Sequence, residues 1–222
     1  MLAPSLKRVR AANRSAMRFG LAAATLYILA VATAVTAEHN TAAAQNTKPR
    51  AEASQHTPQY TPDGQLVFPS NYREWVYLSS GLGMTYTGPM GEDDPMFTNV
   101  FVTPEAYRAF TVTGKWPDKT VFVVEERGSS RKGSINKGGH YQSEFMGLGV
   151  EVKDESRFPE KWAYFAFGPR SESTKARPKD KCWQCHEDHA AVEHSFVQFY
   201  PTLKPIAQKF GTYKTAVAES QR

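Results

Sequence analysis

The chain has 222 residues, 41% apolar and 22% charged, the composition of a globular protein long enough to bury one hydrophobic core. Its net charge of +5 does not mark a nucleic-acid binder, because Lys7, Arg8, Arg10, Arg14 and Arg18 supply five positive charges in residues 1–37, which carry no acid. The remainder is balanced, so no nucleic-acid partner is expected.

Those first residues read as a targeting segment. A basic stretch, Lys7 to Arg18, precedes an apolar run from Phe19 to Val35. Small residues follow, with Val35-Thr36-Ala37 or Ala42-Ala43-Ala44 as cleavage sites. Residues 1–37 are expected to be a signal peptide or, since the run is near the lower length limit for crossing a bilayer, an uncleaved anchor. Either way the rest of the chain is exported. Residues 38–64 are rich in Ala, Thr, Gln and Pro without an apolar period, and are expected to be a disordered linker.

The folded part is expected from Gln65. Trp75 to Leu78 reads as a strand ended by Gly81 and Gly83, and Gly88 to Pro95 as a loop. Asn99 to Val102 is a second strand. Thr103-Pro104-Glu105 starts a helix with a capping hydroxyl, a proline in the first turn and an acid behind it; Gly114 ends it after Thr113. Thr120 to Glu126 is strongly β-prone, and the polar segment 127–139 is a solvated loop. Met146, Leu148, Val150 and Val152 recur at every second position, as in a strand with one buried face. Trp162 to Phe167 is apolar on both faces and reads as a central strand. A polar connector, 169–181, leads to Cys182 and a helix expected to run to about Val197. Residues 205–222 are a polar tail or a final short helix. The fold class expected is α+β, with a mainly antiparallel sheet.

Cys182-Trp183-Gln184-Cys185-His186 has the spacing of c-type haem attachment. The two thiols lie close enough to add to the two vinyl groups of one haem, and the histidine after them can turn its ring to the iron. Cys182 and Cys185 are then the thioether residues and His186 the proximal ligand of one covalent haem c. A Cys-x-x-Cys disulfide, or a zinc site from Cys182, Cys185, His189 and His194, are the alternatives. On a helix continuous with His186, His189 and His194 could not reach the opposite haem face, and His140 sits in a glycine-flanked loop. Met84, Met90, Met96 and Met146 are formal sixth-ligand candidates, none compelling.

Several segments carry a wider likeness: Asn71-Tyr72-Arg73-Glu74-Trp75-Val76, Val100 to Tyr107, Thr113-Gly114-Lys115, Glu144-Phe145-Met146-Gly147-Leu148, Arg157-Phe158-Pro159 with Trp162-Ala163-Tyr164, the haem motif, and Phe199-Tyr200-Pro201. In this order, over residues 65–204, the chain resembles the cytochrome P-460 family. The resemblance implies a periplasmic, sheet-rich, usually dimeric protein. It implies one c-type haem, a proximal histidine from the motif and an open or nearly open second face. One branch of the family oxidises hydroxylamine and bonds its haem to a strand lysine. Another, similar to cytochrome c′-beta, lacks that bond and binds gases such as nitric oxide.

Counting from Thr113-Gly114, the lysine position corresponds to Val124; Lys119 is five residues away. A distal arginine position corresponds to Thr98, beside Phe97. Phe97, Phe101 and Tyr141 are the aromatic residues expected to wall the distal side. The expected function is an exported mono-haem cytochrome whose open iron binds a small nitrogen ligand, nitric oxide or hydroxylamine. The alternatives are a hydroxylamine-oxidising enzyme and a six-coordinate electron carrier with a redox partner protein.

Overall fold

Alternation of apolar and polar residues builds two cores, one on each side of a single sheet. The computed structural model describes residues 56–85 and 95–219. Residues 1–55, with the expected signal peptide and most of the expected linker, residues 86–94, with most of the expected loop and Met90, and residues 220–222 lie outside the described part. Among the described residues no helix is long and apolar enough to cross a membrane.

Five strands pair antiparallel in chain order: β2 (Val76–Leu82), β3 (Phe97–Val102), β4 (Val121–Ser130), β5 (Tyr141–Lys153) and β6 (Trp162–Phe167). Two short strands, β1 (Leu66–Val67) and β7 (Ser173–Thr174), pair separately. The helices are α1 (Pro104–Thr113), α2 (Trp183–His189), α3 (Lys204–Lys209) and α4 (Thr215–Glu219). The α+β class with a mainly antiparallel sheet is the observed one.

Period-two alternation sends Leu78, Val102, Phe122, Trp162 and Tyr164 to one face, where Ala106 and Phe110 of α1 pack with Trp116. Val192, Val197, Tyr200, Leu203 and Ala207 from the C-terminal part close the same core. The other face presents Val121, Val123, Leu148, Val150, Val152 and Phe165 to Leu66, Tyr72 and Trp75. Phe110 is fully buried and stacks on Trp116 with ring centroids 4.0 Å apart, and burying such a ring contributes about 1.5–3 kcal/mol.

Several elements differ from the sequence-based expectations. β6 is an edge strand in the pairing order, although buried on both faces. The connector runs along its free side, where Arg177 N donates to Tyr164 O over 2.7 Å. The loop expected over 127–139 is shortened at its start only, because β4 runs on to Ser130, where it still pairs with Tyr141 at the beginning of β5. Met146 lies on that extension and is exposed; the buried stripe starts at Leu148. Thr103 makes no side-chain cap bond, while Gly114 ends α1 at φ +68° as a left-handed cap.

Residues 56–64, expected within the linker, are tied to the domain: His56 bonds Glu105, and Tyr60 bridges to Leu66 beneath the Arg157 guanidinium. Of the two readings of the C-terminal part, tail or short helix, the helical one holds, as the two short helices α3 and α4. Ala207 is buried, and Thr212 donates to Gly114 O over 2.8 Å. α2 stops at His189 rather than near Val197, since Ala190 turns extended.

Candidate cofactor site

The sheet face bearing Tyr164 and Phe122 forms one wall of a cavity of about 490 Å³, and the segment from Lys181 to Tyr200 forms the opposite wall. That volume is in the range of cofactor pockets. Every second residue of the central strands faces it. β3 contributes Thr98 and Val100, β4 Val124 and Glu126, β5 Gly149 and Glu151, and β6 Tyr164. Gly149 pairs with Val124 in the sheet, so the middle of this wall carries no side chain.

Across the cavity, Cys182 precedes α2 and accepts the His186 backbone N–H over 3.1 Å. This single turn brings Cys182, Cys185 and His186 to one side, because residues three and four apart share a helix face. Both thiols are free, not joined as a disulfide, and both line the cavity. Burial, with the nearby Asp188 charge, pushes the Cys185 thiol up from its ordinary range.

His186 is held on three sides. Its ring lies 4.3 Å from that of Tyr164 and 4.5 Å from that of Phe196, and its Nδ1 donates to the His194 carbonyl over 2.7 Å. A carbonyl can only accept, so this bond selects the tautomer with a bare Nε2. Burial pushes the imidazole down to about 4, which keeps it neutral at pH 7. A neutral imidazole with its other nitrogen bonded to a carbonyl is the usual state of a metal-ligating histidine.

The short α2 makes this possible. After His189 the chain turns back through Glu193 at φ +48°, so the His194 carbonyl returns to His186. Trp116 Nε1 donates to Ser195 Oγ over 2.6 Å and clamps the turn to the core. His194 itself contacts Glu187 over 3.0 Å and packs on Trp183. Among the described residues no three His, Cys, Asp or Glu side chains gather as ligands, so Cys182, Cys185, His189 and His194 do not form the zinc alternative.

Of the other residues singled out in the sequence, Thr98 and Val124 line the cavity, as do Met84 and Met96. Phe97 and Phe101 alternate to the opposite face of β3. Phe101 packs edge-on against Tyr72 at 5.6 Å and Tyr77 at 5.7 Å. Tyr141 stands at the hairpin end, 45% exposed, with its hydroxyl on Lys132 O. These three aromatics do not wall the cavity, since β3 pleating and the hairpin extension direct them elsewhere; the cavity's aromatic wall is Tyr164, Phe196, Phe199 and Tyr200. His140 and Met146 also lie outside the lining, and Lys119 pairs with Asp154 away from it.

Glu126, Glu151 and Tyr164 are cavity residues that sequence reasoning passed over. The available signal was the same alternation that exposed Leu148, Val150 and Val152: it assigns Gly149 and Glu151 to the other face. Glu151 is buried, Oε2 has no hydrogen-bond partner, and burial pushes its carboxyl up to about 8. Its Oε1 is 3.8 Å from His186 Nε2, but with both groups neutral at pH 7 this contact is not an ion pair. The Tyr164 hydroxyl is likewise buried without a partner. A mainly apolar cavity, a ring nitrogen with a free lone pair and two adjacent thiols fit a flat metallated macrocycle better than a free ion.

A family model described as Cytochrome P460 matches residues 69–197, which span β2 to β6 and the Cys182–His186 turn. No curated protein matches the chain. With more than half of its length matched, the chain belongs to the cytochrome P460 family, a family of haem c cytochromes.

Proposed function

We propose that this is an exported, periplasmic mono-haem cytochrome that binds a small nitrogen ligand, nitric oxide or hydroxylamine, on the haem face opposite His186. Cys182 and Cys185 hold the haem as thioethers, and His186 is the proximal ligand. The observation that carries the reading is His186 itself: a neutral ring, clamped between Tyr164 and Phe196, with Nδ1 bonded and Nε2 bare toward the cavity. The haem supplies an iron that takes an uncharged diatomic ligand. The chain supplies orientation and a dry wall. The His194 carbonyl fixes the ring plane, and Val100, Val124 and Gly149 line the opposite wall with apolar or absent side chains.

Val124 also separates the two family branches. Among the described residues the lysine lining the cavity is Lys181, which is exposed and adjoins Cys182; the β4 position that a haem-bonding lysine would take is an apolar valine. This favours ligand binding over hydroxylamine oxidation through a lysine-modified haem. The test is a haem-peptide mass map with a nitric oxide titration of the reduced protein. Two thioethers and no lysine adduct are expected, with stoichiometric binding at one site. A lysine adduct, or turnover of hydroxylamine with an electron acceptor, overturns the reading in favour of the enzyme.

A further inference from the structure

The connector from β6 to the Cys182 turn carries more positive charge than its own contacts neutralise. Over residues 169–181, Arg170, Lys175, Arg177, Lys179 and Lys181 stand against Glu172 and Asp180, a net +3 in a chain that is balanced beyond its first 37 residues. Lys175, Arg177, Lys179 and Lys181 recur at every second position, and all four are exposed. Among the described residues only Lys179 of the four forms an ion pair, with Glu160 over 3.1 Å, and its Nζ lies 4.3 Å from the centre of the Trp183 ring. The bond from Arg177 N to Tyr164 O fastens this strip along β6, and Lys181 stands at the cavity. Cys182 follows directly and is itself half-buried. Past the motif's first cysteine the sign reverses, with Glu187 and Asp188 exposed on α2.

We propose that this strip is the docking surface for a protein with an acidic face that carries one electron to the haem. This rests on the haem reading above. A basic flank and an acidic flank on either side of the attachment segment orient a partner of complementary charge and speed its encounter. Only a small interface is needed, as in other transient redox pairs. No large apolar side chain is exposed among residues 169–181, so a membrane surface would have to be held by charge alone. The electron passes from the reduced carrier, which is oxidised by one unit, to Fe(III), which becomes Fe(II). No bond is made or broken in that step, and the ferrous iron then takes nitric oxide.

The test mixes the ferric, haem-loaded protein in stopped flow with two donors: reduced flavodoxin, an acidic one-electron protein, and reduced lumiflavin, a small uncharged molecule. Lys175→Glu combined with Arg177→Glu reverses two charges of the strip and leaves Lys181, at the cavity, and Lys179, over Trp183, in place. The wild-type rate with flavodoxin is expected to fall as salt rises. At low salt the double variant is expected to react with flavodoxin about tenfold more slowly, with most of the salt dependence gone, and with lumiflavin at the wild-type rate. Lys175→Arg with Arg177→Lys is expected to keep both wild-type rates. A flavodoxin rate indifferent to salt or to charge reversal overturns the proposal, and so does equal slowing with both donors, which would assign the segment to haem access. Sedimentation with phosphatidylglycerol vesicles, lost in the double variant while the flavodoxin rate holds, overturns it in favour of a membrane surface. Should the double variant fail to take up haem, Lys175→Glu alone is expected to slow flavodoxin and not lumiflavin, and the absence of that difference overturns the proposal. Failure of the ferrous wild type to bind nitric oxide overturns the gas-binding reading alone, because the reduction rates judge the strip separately.

Discussion

His186 Nδ1 and the His194 carbonyl oxygen are 2.7 Å apart, and this one bond links the His186 ring to a turn that the core holds in place. The turn is anchored by Trp116, whose Nε1 donates to Ser195 Oγ. Trp116 in turn stacks on Phe110 of α1 and packs edge-on against Phe122 of β4. Orientation of the His186 ring is therefore set by residues some 70 positions earlier in the chain, roughly Trp116 to His186.

Trp116→Phe tests that coupling. The variant removes one buried hydrogen bond and leaves a small cavity, together about 2–3 kcal/mol. Urea unfolding of the haem-loaded protein should show that decrease. The iron–histidine stretching band of the ferrous protein should broaden or shift as the His194 carbonyl loosens. An unchanged band together with a full stability loss would assign Trp116 to the core only.

Acid stability should follow Glu125, on the sheet face away from the cavity. Burial by itself raises this carboxyl, but hydrogen bonds from Asn99, Tyr72 and Arg127 and the Arg73 charge outweigh burial and hold it below the ordinary value. A depressed folded value means the stabilisation is complete above the unfolded value, near about 4.3, and is lost as pH falls through the folded one. Urea midpoints should therefore be flat from pH 7 to pH 5 and fall below about pH 4. Glu125→Gln should be less stable at pH 7 and show a shallower acid limb. Equal acid slopes in the two proteins would place the loss at other carboxylates.

The division of β3 and β4 between two faces makes a third prediction. Val124→Phe puts a ring into the cavity, and nitric oxide association with the ferrous protein should slow by about tenfold or more, an activation difference of roughly 1.4 kcal/mol. Phe101→Leu, on the opposite face, should leave association unchanged and cost about 1 kcal/mol of stability. Stopped-flow mixing and urea unfolding read the two effects. A slower rate in Phe101→Leu would mean that the face assignment is reversed.

Much of the fold was legible because short-range rules acted without competition. Pro104 and Gly114 bracket α1 by backbone geometry alone, and Leu148, Val150 and Val152 declare a buried face by their period. The reading failed where long-range pairing decided the outcome. Trp162 to Phe167 is apolar on both sides, which suits a central strand, yet it is an edge covered by its own connector. Phe97 and Phe101 are large and near the expected distal position, yet pleating turns both away from Thr98 and Val100.

The expectation for Cys182, Cys185 and His186 needed only the sequence, because it depends on spacing within one helical turn. Composition and motif order pointed the same way without any tertiary contact. What only the tertiary structure decided is what stands across from the motif. Val124, Gly149 and Glu151 reach that wall through strand register, and register is settled by the packing of two whole cores. The bare Nε2 of His186 likewise depends on a turn that brings residue 194 back to residue 186. Identity of the cofactor is a local property of the chain; the character of its second face is set by contacts between residues far apart in it.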